Sequence, residues 1–428
     1  MKRSRLLRLI AALTVLSLGA VACGDDDDST TSTTSPSGGG GEGQSGEGCD
    51  DSLPTIKVGS VTTAQNYAGM EDAIVARIER ENQTCIQGRK LEFVGSRDDA
   101  GDVQKNLDGA KDLVENGDAD LLLITSDRTV QTPAYLAQQR VPFFGWGFMP
   151  GFCGDDAWGF SANGCLSGWA FAQMGAVQID DPPLPGGFSK EHEAIVGKDD
   201  YTLVVIQEDS EAGRAGGKLY DELWDDDQLL ANEYLPAKAD GSVEPAVLTQ
   251  AVQLVNDKNP DLVMLSTPFA MAVALSAAIK ASGYEGKIQT FVSYAPGLLE
   301  ASPDLADAFE GTYTIVQYPT VEEGGADAIR SDLEAAGKEG FVTLGAMIGW
   351  WNMDLAIELM KAVDGEITGE SIRETAMNGF SYEPEGGPSV DFPDNLTGPG
   401  RDGCQAAVAI KNKAYEVVRP YQCYKAAG

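Results

Sequence analysis

The chain offers little with which to make or break covalent bonds. Its single histidine, His192, stands in an acidic, Pro/Gly-rich insertion over 180–200, where a solvated loop residue is expected rather than a general base. No Gly-x-Ser-x-Gly elbow, Walker loop or His-Glu-x-x-His motif accompanies it, so neither catalysis nor a metal site is predicted. The residues suited to holding a small molecule lie elsewhere, in short segments that follow apolar runs. They are Tyr67, Ser126, Arg128, Thr129, Trp146, Gly147, Phe148, Thr267, Ser293 and Tyr294. Hydroxyls and a guanidinium would supply hydrogen bonds, and the aromatic rings a surface for stacking.

Two series of alternating elements must position these loops. In the first, strands are predicted over 56–61, 91–94, 121–124 and 141–144, with helices over 70–80, 103–114 and 129–139. The second has strands over 203–206, 229–235, 262–265 and 288–292, with helices over 213–223, 245–255 and 270–281. Strands alternating with helices through short connections imply an α/β fold of two parallel sheets, each covered by helices. Ligands of such sheets bind beyond the carboxyl ends of the strands, where the candidate loops fall. Ser126 or Thr129 could cap the helix that follows, leaving backbone N–H groups facing a ligand. A helix over 344–362 carries Trp350 and Trp351. Neighbours on a helix point about 100° apart, so the two cannot both line one site and at least one is expected in the core.

The ends and the composition speak to compartment. Lys2, Arg3, Arg5 and Arg8 precede a short apolar run over 9–18, the pattern of a secretory signal peptide covering 1–22, too short to span a bilayer. Ala20-Val21-Ala22-Cys23 resembles a bacterial lipobox, which would make Cys23 a lipidated first residue, tethered through a disordered leash over 23–53. The four aspartates at 25–28 lack the glycine turn of a calcium loop and read as solvated. Beyond Cys23, six cysteines remain, and sequence proximity favours the pairs Cys49–Cys85, Cys153–Cys165 and Cys404–Cys423. A formal charge of −35 argues against nucleic-acid partners, and membrane contact is expected only through the lipid.

"IKVGSV", "LEFVGSRDDAGDVQKNLDGAKDLVENGDADLLLI", "RVPFFGWG" and "NPDLVMLSTP" with "AIKASGYEGKIQTFVS" together resemble the branched-chain-amino-acid class of solute-binding proteins, over 54–425. The resemblance implies two Rossmann-like lobes joined by three crossovers, near Phe160, 294–296 and 363–365. Lobe 1 would be 54–160 and 296–363, and lobe 2 would be 161–295 and 364–428. It also implies a lipoprotein on the outer face of the membrane that closes on a small solute and delivers it to the permease subunits of an ABC importer, without a cofactor. A sensor reporting to a membrane kinase would use the same fold. Relatives hold the ligand carboxylate with a serine-rich loop resembling 125–129 in part. Here Arg128 either binds an anionic ligand or pairs with Asp127. Trp146 and Phe148 stand where relatives have Ser-Pro-Ala-Thr-like residues, and Trp146 is expected to stack on the solute. Ser293 and Tyr294 replace the acid that meets an ammonium group, which argues against leucine or valine. The loop over 61–67 is shorter than its counterparts, weakening the case for Tyr67 and Gln65.

Overall fold

The computed structural model describes residues 48–126, 128–146, 150–165, 177–178, 189–210, 213–214, 217, 220–221, 224–225, 227–238, 241–294, 297–316, 318–338, 342–384, 386–396, 405–422 and 425–426. Its first sheet takes β1 (Ile56–Thr62), β2 (Leu91–Asp98), β3 (Leu121–Thr125), β4 (Phe143–Gly145) and β5 (Gly159–Phe160), in the order β2-β1-β3-β4-β5 with every pair parallel. β3 is buried along its whole length, as a central parallel strand must be, and Leu-Leu-Leu-Ile is the sequence that permits it.

After the short β6 (Val177–Gln178), the second sheet takes β7 (Leu203–Glu208), β8 (Leu229–Leu235), β9 (Leu262–Ser266), β10 (Lys287–Thr290) and β11 (Thr312–Val316). β12 (Phe380–Tyr382) and β13 (Val390–Phe392) form a separate hairpin, and β14 (Gln405–Lys411) and β15 (Ala414–Gln422) return to the second sheet. Its order is β15-β14-β11-β10-β9-β7-β8, parallel from β8 to β11 and closed by the antiparallel β14–β15 pair. β16 (Lys425–Ala426) pairs with β6. Two α/β lobes are thus present, as expected; the antiparallel edge was not anticipated from the sequence.

Chain placement differs from the expected lobe boundaries at two points. Residues 298–316 pack on the second sheet, where Leu299, Ala306 and Phe309 share a core with Ala272 and Ile410, so the crossing falls after Val316 rather than near Tyr294. Helix Gly369–Met377 and the β12–β13 hairpin join the core of the first lobe through Ile372, Tyr382, Val390 and Phe392, so the last crossing follows Leu396 rather than Val363. Apolar residues of these segments select their own sheets, a choice that strand and helix periodicity does not encode.

Helix Leu344–Ala362 is the central beam of the first lobe, buried nearly all round, with both Trp350 and Trp351 inside. Glycine makes its close approach possible: a Cβ at Gly345 would lie 2.2 Å from the Tyr67 carbonyl oxygen. Among the described residues no helix is long and apolar enough to cross a membrane. Disulfides Cys49–Cys85 and Cys153–Cys165 form, with Cα separations of 5.4 and 5.1 Å. Cys404, Cys423 and Cys23 lie outside the described residues.

His192 is not a solvated loop residue. It sits fully buried in helix Ser189–Val196, stacked on Trp224 with its Nδ1 3.2 Å from the Tyr201 hydroxyl oxygen. Burial pushes its pKa down to about 3. Acidic composition suggested a loop, but Ile195 and His192 supply the apolar and aromatic face that covers β7 and β9.

Candidate ligand-binding site

Between the lobes lies a narrow gap lined by Thr63, Gln65, Asn66, Gly101 and Arg128 from the first sheet and by Glu208, Lys238, Gly241 and Pro268 from the second. Thr63 follows β1, Gly101 follows β2, and Arg128 follows β3. Glu208 ends β7, Lys238 and Gly241 follow β8, and Pro268 follows β9. Every wall is therefore built from the carboxyl end of a parallel strand, the position that the topology of such sheets reserves for ligands.

The first-lobe wall rests on Asp99, whose carboxylate is fully buried. It accepts hydrogen bonds from the Thr63 hydroxyl at 2.8 Å, the Ser126 hydroxyl at 2.5 Å, the Asn106 side-chain amide at 2.8 Å and the Gly101 backbone N–H at 2.9 Å. Thr132 donates to Asn106 in turn at 2.5 Å. Several donors on one buried carboxylate replace the water it has lost and hold three loops in register. The helix after β3 begins at Thr132 with Gln131 before it, so neither Ser126 nor Thr129 caps it. Ser126 instead turns the loop by accepting from the Arg128 backbone N–H at 3.0 Å.

Arg128 reaches across the gap. Its guanidinium Nη2 meets Glu208 Oε1 at 3.2 Å, with the two side chains 22% and 12% exposed. This carboxylate partner belongs to the other lobe; Asp127 lies outside the described residues. Lys238, at the rim, pairs with Glu244 at 2.7 Å. Thr129 and Thr267, beside Arg128 and Pro268, are 2% and 7% exposed, and neither hydroxyl finds a partner among the described residues.

The other sequence candidates sit as follows. Trp146 is 6% exposed and packs against Trp351 and Tyr318, with ring centroids at 6.4 and 6.3 Å. Tyr294 is buried beside Tyr318 and Tyr415; its hydroxyl donates to Glu322 at 2.8 Å and accepts from the Val321 N–H at 2.7 Å, and burial pushes its pKa far up. Trp146, Trp351, Tyr318, Tyr294 and Tyr415 thus make an aromatic row running from the first lobe to β15, through the crossing after β11. Ser293 is buried and accepts from Thr290 at 2.6 Å. Tyr67 is 8% exposed, beneath helix Leu344–Ala362. Gly147 and Phe148 lie outside the described residues. Asp99 and Lys238 went unread in the sequence, although the Asp98-Asp99 pair closing an apolar strand was a signal that an acid ends β2 at the cleft.

Two α/β lobes with strand ends turned to a shared gap define a bilobed binding protein. The chain belongs to the periplasmic binding protein family, whose model matches residues 55–411. A search of curated proteins found no match. Among solved structures it is similar to the branched-chain amino acid transporter substrate-binding protein of Streptococcus pneumoniae in complex with isoleucine, at 16% identity and a TM-score of 0.66, over 86% of this chain and 100% of that one. A solute-binding protein of an ABC transporter from R. palustris, in complex with benzoate, matches at 16% identity and 0.64, over 88% and 99%. An ABC transporter substrate-binding protein from Aeropyrum pernix matches at 13% and 0.69, over 86% and 96%. Family and fold are those of periplasmic binding proteins.

Proposed function

We propose that the chain is an extracytoplasmic substrate-binding lipoprotein of an ABC importer. Anchored through Cys23, it captures a small polar solute such as an amino acid, an amide or a related molecule, and presents it to the permease subunits. The observation that carries this reading is that all nine residues lining the gap stand at or just past strand carboxyl ends, contributed by both lobes. A solute in that position touches both walls only when the lobes approach, so its binding free energy favours the closed arrangement by hinge motion. Bound isoleucine and benzoate in two structural neighbours support a small molecule as the ligand. Arg128, Glu208, Thr129 and Thr267 are the side chains proposed to meet it, with Ser126 and Asp99 positioning the loop. Trp146, Tyr294 and Ser293 are proposed to act from behind, in the packing around the crossing.

Isothermal titration of residues 49–428 with a panel of amino acids, amides and short carboxylates tests this. A dissociation constant near 1 μM, about −8.2 kcal/mol, is the expected scale. Failure of every small solute to bind would remove the reading. Attachment through Cys23 is checked by mass spectrometry of the membrane-extracted protein, which should show a diacylglyceryl modification on that residue and none in Cys23→Ser.

A further inference from the structure

We infer that Glu208 sets the charge specificity of the gap: its carboxylate holds Arg128 and thereby excludes solutes that bring an unaccompanied negative charge. This rests on the gap being the solute site, and it assigns Glu208 a task that neither fold nor family supplies.

Arg128 is the cation deepest in the gap, and it is engaged by Glu208 at 3.2 Å, with both side chains largely shielded from water. The second lining cation, Lys238, sits at the rim with Glu244 at 2.7 Å. Behind the first-lobe wall is a further carboxylate, the fully buried Asp99, and the exposed Asp98 precedes it at the end of β2. A carboxylate or sulfate that took Arg128 from Glu208 would leave Glu208 without its partner beside a second negative charge. In a site withdrawn from water that arrangement is strongly unfavourable. A neutral solute, or one carrying a cation next to its anion, leaves the charges matched. Arg128 alone would make a general anion site, since a guanidinium pairs with carboxylate in a fixed fork; Glu208 converts it into one that demands charge balance.

The test compares wild type, Glu208→Gln and the double variant Arg128→Gln/Glu208→Gln, all as residues 49–428. The probes are benzoate, acetate and sulfate, with benzamide as the uncharged shape control, read by titration calorimetry. Wild type is expected to favour benzamide over benzoate. In E208Q the benzoate-to-benzamide affinity ratio should rise at least ~10-fold, because a like-charge clash has been removed, and acetate and sulfate binding should rise with it. The double variant should lose that gain. Unchanged circular dichroism and unfolding midpoint establish that each variant is folded. The inference is overturned if E208Q gains affinity for none of the three anions, or if the gain survives without Arg128. Should wild type bind no solute of the wider panel, the solute-binding reading fails instead; a wild type that binds while E208Q gains nothing fails only the assignment to Glu208.

Discussion

Arg77 and Arg128 each meet a carboxylate far away in sequence, yet one pair is a rivet and the other a latch. Arg77 is 3% exposed and is held from several sides. Its Nε donates to Asp354 at 2.6 Å and its two terminal nitrogens donate to Glu81 at 3.1 Å. Tyr382 donates to Asp354 at 2.8 Å, and Lys361 approaches Glu81 at 3.0 Å. Helix Met70–Glu81, helix Leu344–Ala362 and the β12–β13 hairpin are thereby joined. Among the described residues Arg128 makes one ion pair, at 3.2 Å across the gap, with side chains 22% and 12% exposed. Multiplicity and dryness separate scaffold from working part: buried charges locked by many partners cannot be released, whereas a single bridge between lobes can open for a ligand.

That contrast can be broken by experiment. Arg77→Met should destabilise the protein by about 3–5 kcal/mol, because it strands two buried carboxylates, measured as a fall in the denaturant midpoint. A loss below about 1 kcal/mol would mean the cluster is no rivet. Removing the Cys49–Cys85 bridge as Cys49→Ser/Cys85→Ser should cost about 2–4 kcal/mol, again without altering solute affinity, since this disulfide fastens the far side of the first lobe.

The buried imidazole of the second lobe supplies a pH test. His192 has a folded pKa of about 3 against 6.5 for the free side chain. Above pH 6.5 both states are neutral and the penalty is absent. As pH falls from there toward 3, the unfolded chain takes up a proton that the folded one refuses, and stability declines by about 1.4 kcal/mol per pH unit. His192→Gln should lose this component of the slope in pH-dependent unfolding. Equal slopes in variant and wild type would contradict its neutral burial. The smallest effect belongs to the latch: a double-mutant cycle over Arg128 and Glu208 should give a coupling below about 1 kcal/mol in unfolding, alongside a large coupling in anion binding. A coupling in unfolding like that expected of Arg77 would erase the distinction.

Much of the framework was readable before the structure. Apolar runs such as 121–124 and 262–265 gave strands within a residue or two, and helix Leu344–Ala362 spans the expected residues. Two cysteine pairs followed from spacing, because short loops close readily. The affiliation of 298–316 and 369–396 was not readable, since a helix or hairpin carries an apolar face without stating which lobe will bury it. The gap was legible as a set of strand ends but not as a set of side chains. Arg128 could be nominated; its partner Glu208, 80 residues away, could not be matched to it, as only the fold brings the two together. Aromatic residues near the site, Trp146 and Tyr294, carry no sequence mark separating a ring that faces solute from one that packs against Tyr318.

Hydrogen–deuterium exchange with and without a solute found by titration tests the account most directly, because backbone protection reports where closure happens. Bound solute should slow exchange together at 62–66, 98–101 and 125–129 on one lobe and at 207–210 and 266–268 on the other. Protection confined to a single lobe, or located away from these strand ends, would contradict a solute held between the two sheets.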